Sequence, residues 1–402
     1  MRDLSADAKR LIAVQAFRAV AYGLGAVLIG ESLARRGLSA AEVGGVLASL
    51  LAGAAVVSVL LARYGDRLGR RRCYRILLVT MAAAGTVFAL TDWLPALVLV
   101  ALTGTLSPDV VESGPFTSLE QAMLPHAGPD PTRLFGIYNS VATLAGSAGA
   151  LIAIAGSSPR WLLAYPIAAA AGLLASARLS PGVEEGRELE AEPRPPLQRS
   201  RGIVLRLSGL FALDSFGGGM VPQTLIAYLF TRKYGASPGT LGIVFFSVGI
   251  LQAVSFQVAV RLAGRFGLLI TMVFSHLPSN LLLIGIAFAP NLPTAISLLL
   301  ARFALSQMDV PARQAYVIAV VDPTEQTAAA AYTNAARYLT RPLGPILAGA
   351  AVRAGLGLPF LLAGAIKIAY DLGLYFGFRN VPIEHVPAGQ STPAPATSIA
   401  DS

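Results

Sequence analysis

Long apolar runs separated by short polar loops recur along the whole chain. They lie near residues 11–34, 41–62, 74–92, 94–125, 132–156 and 159–178, and again near 203–231, 238–261, 267–289, 293–321, 325–352 and 356–378. A helix rises 1.5 Å per residue, so runs of this length match a hydrocarbon core about 30 Å thick. The pattern predicts an all-α polytopic membrane protein with twelve transmembrane helices in two pseudo-symmetric six-helix bundles. The expected divisions are an N-terminal bundle over 1–180, a cytosolic linker over 181–202, a C-terminal bundle over 203–380 and a disordered cytosolic tail over 381–402. The linker PGVEEGRELEAEPRPPLQRSR is too polar to cross a bilayer, and the tail is rich in Pro, Ser, Thr and Ala.

Composition strengthens this reading. The chain is 54% hydrophobic and only 13% charged, against about 25% charged in soluble domains. The 40 glycines suit close helix packing in lipid. The net charge of +9 does not point to nucleic acid, because the basic residues sit in short loops between apolar runs, where they set topology. Counting Arg2, Lys9, Arg10, the Arg63–Arg75 cluster, Arg133, the linker arginines, Arg261, Arg265 and Arg379 on one side gives a bias of roughly three to one. Both termini are therefore expected in the cytosol, with the chain in the cell inner (plasma) membrane. No cleavable signal is expected. Cys73 has no second cysteine to pair with, so there is no disulfide framework.

The two halves resemble each other. ESLARRGLSAAEVGG ahead of span 2 matches YLFTRKYGASPGTLG ahead of span 8, and ARYGDRLGR aligns with VRLAGRFGL at an offset of 198 residues. Glu120 in span 4 corresponds to Arg313 in span 10, and Asn139 to Asn334. Internal repeats of this size mark transporters whose site lies between the repeats near the membrane midplane.

The segment ARYGDRLGRRR, residues 62–72, resembles the loop between helices 2 and 3 of the major facilitator superfamily, G-x-x-x-D-R-x-G-R-R/K. Asp66, Arg67, Gly69, Arg70 and Arg71 match, and Ala62 replaces the opening glycine. The resemblance implies a gating role for Asp66, Arg67, Gly69 and Arg70, with the loop docked on neighbouring helix ends, including that of helix 11. In the second half Gly264 stands where the aspartate would be. The antiporter Gly-Pro pair expected in span 5 is missing there, and a Gly344-Pro345 pair lies in span 11 instead.

Charged residues inside spans are costly, by about 2.5–3.5 kcal/mol even on the lenient insertion scale, so they face partners or a water-filled cavity. Arg18, Asp109, Glu112, Asp214, Asp309 and Arg337 lie near mid-depth and are candidates for the substrate or proton pathway. Helices 1, 4, 7 and 10, which the resemblance implies line the cavity, supply most of them. Pro108, Gly114-Pro115 and Pro311 interrupt spans 4 and 10 beside these charges, as irregular backbone in lipid does where it lines a cavity. Glu120 and Arg313 are expected to pair across the pseudo-twofold axis as a cytosolic gate. One of Asp109, Glu112, Asp214 or Asp309 is expected to carry a proton. Lys367 and Asp371 read as a structural i,i+4 pair, Glu31 and Arg302 receive no role, and His126, His276 and His385 read as isolated.

No H-E-x-x-H, paired-cysteine or nucleophile-elbow motif occurs, so no enzyme, metal site or cofactor is expected. The sequence reading is a monomeric secondary transporter moving a small solute by alternating access. Proton coupling and an anionic or zwitterionic substrate, or efflux, are the favoured form. A facilitative uniporter and a non-transporting sensor with a transporter fold are the alternatives.

Overall fold

A computed structural model describes residues 4–107, 114–124, 131–156, 158–184, 197–322 and 325–381. Among them the chain forms sixteen α-helices and no strand. Helices α1 (Ala6–Arg35), α2 (Ala40–Leu68), α3 (Arg70–Leu90), α6 (Pro131–Ile152), α10 (Pro238–Phe266), α11 (Leu268–Ala287) and α16 (Leu358–Phe378) each make a span unaided. Four spans are built of two helices in series: α4 (Leu94–Ala101) with α5 (Pro115–Met123), α8 (Arg201–Gly219) with α9 (Gln223–Tyr234), α12 (Leu292–Ser306) with α13 (Asp309–Ala319), and α14 (Gln326–Thr340) with α15 (Leu343–Val352). The sixth span is α7 (Ala164–Ser176), entered through a 3-10 turn over Pro159–Leu163. The twelve spans follow the apolar runs in order.

The helix ends obey local chemistry. Ser39 caps α2 in a capping box with Glu42, and Ser237 and Asn291 cap α10 and α12 through their side chains. Between α2 and α3 the chain turns on Gly69 at φ +91°, a conformation that disfavours any residue with a Cβ. The breaks in the split spans follow composition too. Span 7 breaks after the Gly217–Gly219 run at Met220–Pro222, and span 11 breaks at Arg341-Pro342, where proline interrupts the hydrogen-bond ladder.

The first six and last six spans meet most closely at the end of the molecule distant from both α1 and α16 chain termini. There α1 packs on α9, α2 on α15 and α6 on α10. Small residues permit it: a Cβ on Gly44 would lie 2.5 Å from the Pro345 carbonyl oxygen, and one on Gly349 2.5 Å from that of Ala40. One continuous apolar core, including Leu33, Val46, Phe230 and Leu241, crosses between the halves at this distal end. Toward the opposite end the second half holds a separate core of its own around Val204, Phe211, Met272, Tyr316 and Phe378. The halves are thus sealed together at one end and independently packed at the other.

Candidate functional site

Where α8 breaks, its last turn faces the start of α13, and α11, α12, α14 and α16 close around them. A cavity of about 190 Å³ opens there. Its walls carry Arg302, Arg313, Arg337, Arg341 and Lys367 against Asp214 and Asp309, with His276 at the edge. Gln223, Gln252, Ser306 and Gln307 add neutral hydrogen-bonding groups, and Val221, Phe303 and Val310 add apolar surface. Five fixed cations against two carboxylates give the lining a positive excess.

The charges are tied to one another. Asp214, buried, accepts from Lys367 Nζ and from Arg313 Nη1 at 3.4 Å. Arg313 also donates to Asp309 at 3.0 Å, the i,i+4 spacing read from the sequence. Behind Asp214, the His276 ring joins Asp371, with Nδ1 2.7 Å from Oδ1, and Asn280 donates to the other Asp371 oxygen at 2.8 Å. The other ring nitrogen, Nε2, lies 3.9 Å from Asp214.

A second buried cluster lies in the first half. Arg18 Nη2 donates to both Glu120 oxygens, at 2.7 and 2.5 Å, and neither side chain is exposed to solvent. Tyr74 and Tyr138 each donate their hydroxyl to Glu120, and Gln15 accepts from Arg18. The Phe116 ring sits 4.1 Å from the Arg18 guanidinium carbon, within cation–π range. The cluster repeats the other half with its charges exchanged: Arg18 on span 1 with Glu120 on span 4, Asp214 on span 7 with Arg313 on span 10.

The expected gate pair is open in this structure. Glu120 and Arg313 are each committed within their own half, to Arg18 and to Asp214 with Asp309, and the cross-half pair is not formed. The halves are separately packed at the end where that pair would have to meet. Lys367 and Asp371 also part company: Lys367 turns to Asp214, and Asp371 to His276 and Asn280. Asp214, Asp309, Arg313 and Arg337 share the cavity, and Arg18 with Glu120 lies apart from it. Asp109 and Glu112 lie outside the described residues, as do the side chains of Asp66 and Arg67. Of the loop motif, Gly69 makes the turn and Arg70 is buried. The neighbouring Arg71 binds the segment after span 6, its amide 3.1 Å from Glu184 Oε1 and its guanidinium 3.1 Å from the Leu179 carbonyl.

Sequence reasoning missed His276, Lys367, Asp371 and Arg302 as members of the site. A signal was present. His276 and Asn280 are four apart on α11, and Lys367 and Asp371 four apart on α16, so each helix carries a polar stripe within an apolar span. Two such stripes on packed helices face each other.

The Major Facilitator Superfamily model matches residues 207–400. The fold over nearly the whole chain is that of solved transporters. The nucleoside transporter NupG superposes with a TM-score of 0.70 at 16% identity, over 92% of this chain and 98% of its own. A D-xylose-proton symporter gives 0.70 at 16%, over 94% and 98%.

Over its second half the chain is similar to the major facilitator superfamily, and its fold is that of solved transporters.

The uncharacterized membrane protein YJR124C from Saccharomyces cerevisiae is 26% identical over 94% of this chain and 95% of its own. The superfamily and the fold are those of a multi-pass membrane transporter rather than an enzyme.

Proposed function

We propose that the chain is a major facilitator superfamily member and a secondary transporter that carries a small anionic solute by alternating access. The observation that supports this reading is the charge of the cavity. Five arginine and lysine side chains against two aspartates, out of bulk water, favour a solute that brings negative charge with it. The cavity lies beside the breaks of spans 7, 10 and 11, where rearranging backbone ends can open or close it. The solved neighbours move nucleosides or D-xylose by their names, so the fold does not choose the cargo and the lining has to.

The basic end of the molecule, with Arg70, Arg71, Arg72, Arg75, Arg265 and Arg379, is assigned to the cytosol of a plasma membrane, with both termini there. On that assignment the distal seam closes the outer side, and the structure is the state facing inward. The protein works as a monomer and draws on a proton gradient.

Solid-supported-membrane electrophysiology on purified protein tests the reading. Inorganic phosphate, sulfate, mono-, di- and tricarboxylates, sugars, nucleosides and amino acids are applied in turn. At least one anion should give a saturable transient current that protein-free liposomes lack. Responses confined to neutral or cationic solutes would overturn the anionic assignment.

A further inference from the structure

We propose that His276, held between Asp371 and Asp214, is the site that carries the coupled proton, and that the proton travels in the same direction as the anion. This inference rests on the transport reading above.

The geometry supports it through hydrogen-bond inventory. Nδ1 of His276 is 2.7 Å from an Asp371 oxygen, and Nε2 faces Asp214 at 3.9 Å. A neutral imidazole has one N–H and serves one of these carboxylates; an imidazolium has two and serves both. Asn280 fixes Asp371 by donating to its second oxygen at 2.8 Å, which holds the first toward the ring. Tyr370 packs edge-on against the imidazole, with ring centroids 5.8 Å apart, and keeps its plane. His276 is itself buried, yet it borders the cavity. It therefore has both a fixed acceptor behind it and a polar exit in front.

The surrounding charges give the coupling its sign. The ring meets Asp371 and Tyr370 from α16 and Asp214 from α8, and the cavity it borders carries Lys367 from α16, Asp309 and Arg313 from α13, Arg302 from α12, and Arg337 and Arg341 from α14. The face of α10 toward the cavity contributes Gln252, which is neutral. Asp214 is the shared member, since it takes Lys367 and Arg313 on the cavity side and faces His276 on the other. An anion entering the cavity competes with Asp214 for those two cations. Each cation it draws away leaves Asp214 less neutralised, and a proton on His276 replaces the lost positive charge. By linkage, proton and anion then favour each other's binding by the same factor. The proton comes from water on the side to which the cavity is open and returns to water on the other side once the anion has left. No bond besides the N–H is made or broken.

The test uses the full chain in proteoliposomes and the radiolabelled panel anion that gives the largest current. Two fluxes are compared: counterflow exchange at equal pH, and accumulation driven by a pH gradient acid on the entry side. Wild type should do both. H276Q should lose accumulation at least tenfold more than it loses counterflow, and D371N should behave likewise, because the first change removes the ring between the two carboxylates and the second removes one of those carboxylates. Retained counterflow shows that the variants are folded. Undiminished gradient-driven accumulation in H276Q overturns the assignment of His276 and leaves the transport reading standing. Loss of both fluxes in both variants makes the pair structural and overturns it as well. If no panel anion exchanges in wild type, the transport reading fails and the proton site falls with it.

Discussion

Glu120→Gln is the substitution whose consequence the structure fixes most closely. The carboxylate is fully buried and accepts from Arg18, Tyr74 and Tyr138. Glutamine keeps the shape and one carbonyl acceptor, which the tyrosines can still use. Its amide nitrogen, however, meets the Arg18 guanidinium as donor against donor, and the guanidinium loses its carboxylate partner. Removing one partner of a buried ion pair costs about 3–5 kcal/mol, because the remaining charge stays buried without compensation. With a fall of about 2–4 °C per kcal/mol for a domain the size of one half, the apparent melting midpoint should drop by about 10 °C. Size-exclusion thermostability of the detergent-purified protein measures it. The double variant R18M/E120Q leaves no buried charge in this cluster and keeps an acceptor for the tyrosines, so it should recover most of the loss. An E120Q midpoint within about 2 °C of wild type, or a double variant no better than the single, would refute the reasoning.

Other consequences can be checked alongside. Arg337→Met removes one of the five cavity cations and should raise the half-saturating anion concentration about 10- to 100-fold in electrophysiology, the range for a lost charge-assisted hydrogen bond. Gly349→Leu forces bulk into the α2–α15 seam, where even a Cβ would be 2.5 Å from a carbonyl; it should open the distal end and speed thiol labelling of residues introduced on the seam. Glu325 accepts amides of Gln198, Ser200 and Arg199 at 2.7, 2.8 and 3.0 Å at the start of α8. Those backbone hydrogen bonds, led by Gln198, hold its carboxyl below the usual glutamate value. A depressed folded value means that the stabilisation is present above the unfolded pKa and is lost as pH falls through the folded one. Glu325→Gln should therefore melt earlier than wild type at neutral pH, and the gap should close in acid.

Most of the fold was legible because lipid leaves the sequence few choices. Twelve runs appear as twelve spans, and Pro108 with Gly114-Pro115 announces the break in span 4, whereas the breaks in spans 7 and 11 were not expected. In span 10 the interruption falls at Gln307–Met308, ahead of Asp309 rather than at Pro311. Proline is tolerated in the first turn of a helix, where its missing amide would have no partner. The site was legible in part. Depth along a span marked Asp214, Asp309 and Arg337, since a charge in hydrocarbon needs a reason, whereas Arg313 was read as a gate residue. Direction around the helix was not available without packing. Lys367 and Asp371 sit four apart on α16 and look like partners, yet the α11 and α8 neighbours separate them. The expected Glu120–Arg313 gate pair is likewise not formed in this structure, which is open at the end where the pair would close. Equivalent residues in a pseudo-twofold repeat need not touch, and here each finds the equivalent partner in its own half.

The central claim is that the two halves open alternately around the charged cavity, and a distance across the sealed end tests it most directly. Spin labels at Ala41→Cys on α2 and Ala354→Cys beyond α15, both exposed at the distal end, are placed in a Cys73→Ala background in nanodiscs. Double electron–electron resonance should show a short distance matching this structure and a second, longer one. Their proportions should change when a transported anion or acid is added. A single short distance under every condition, from a protein that still binds the anion, would contradict the account.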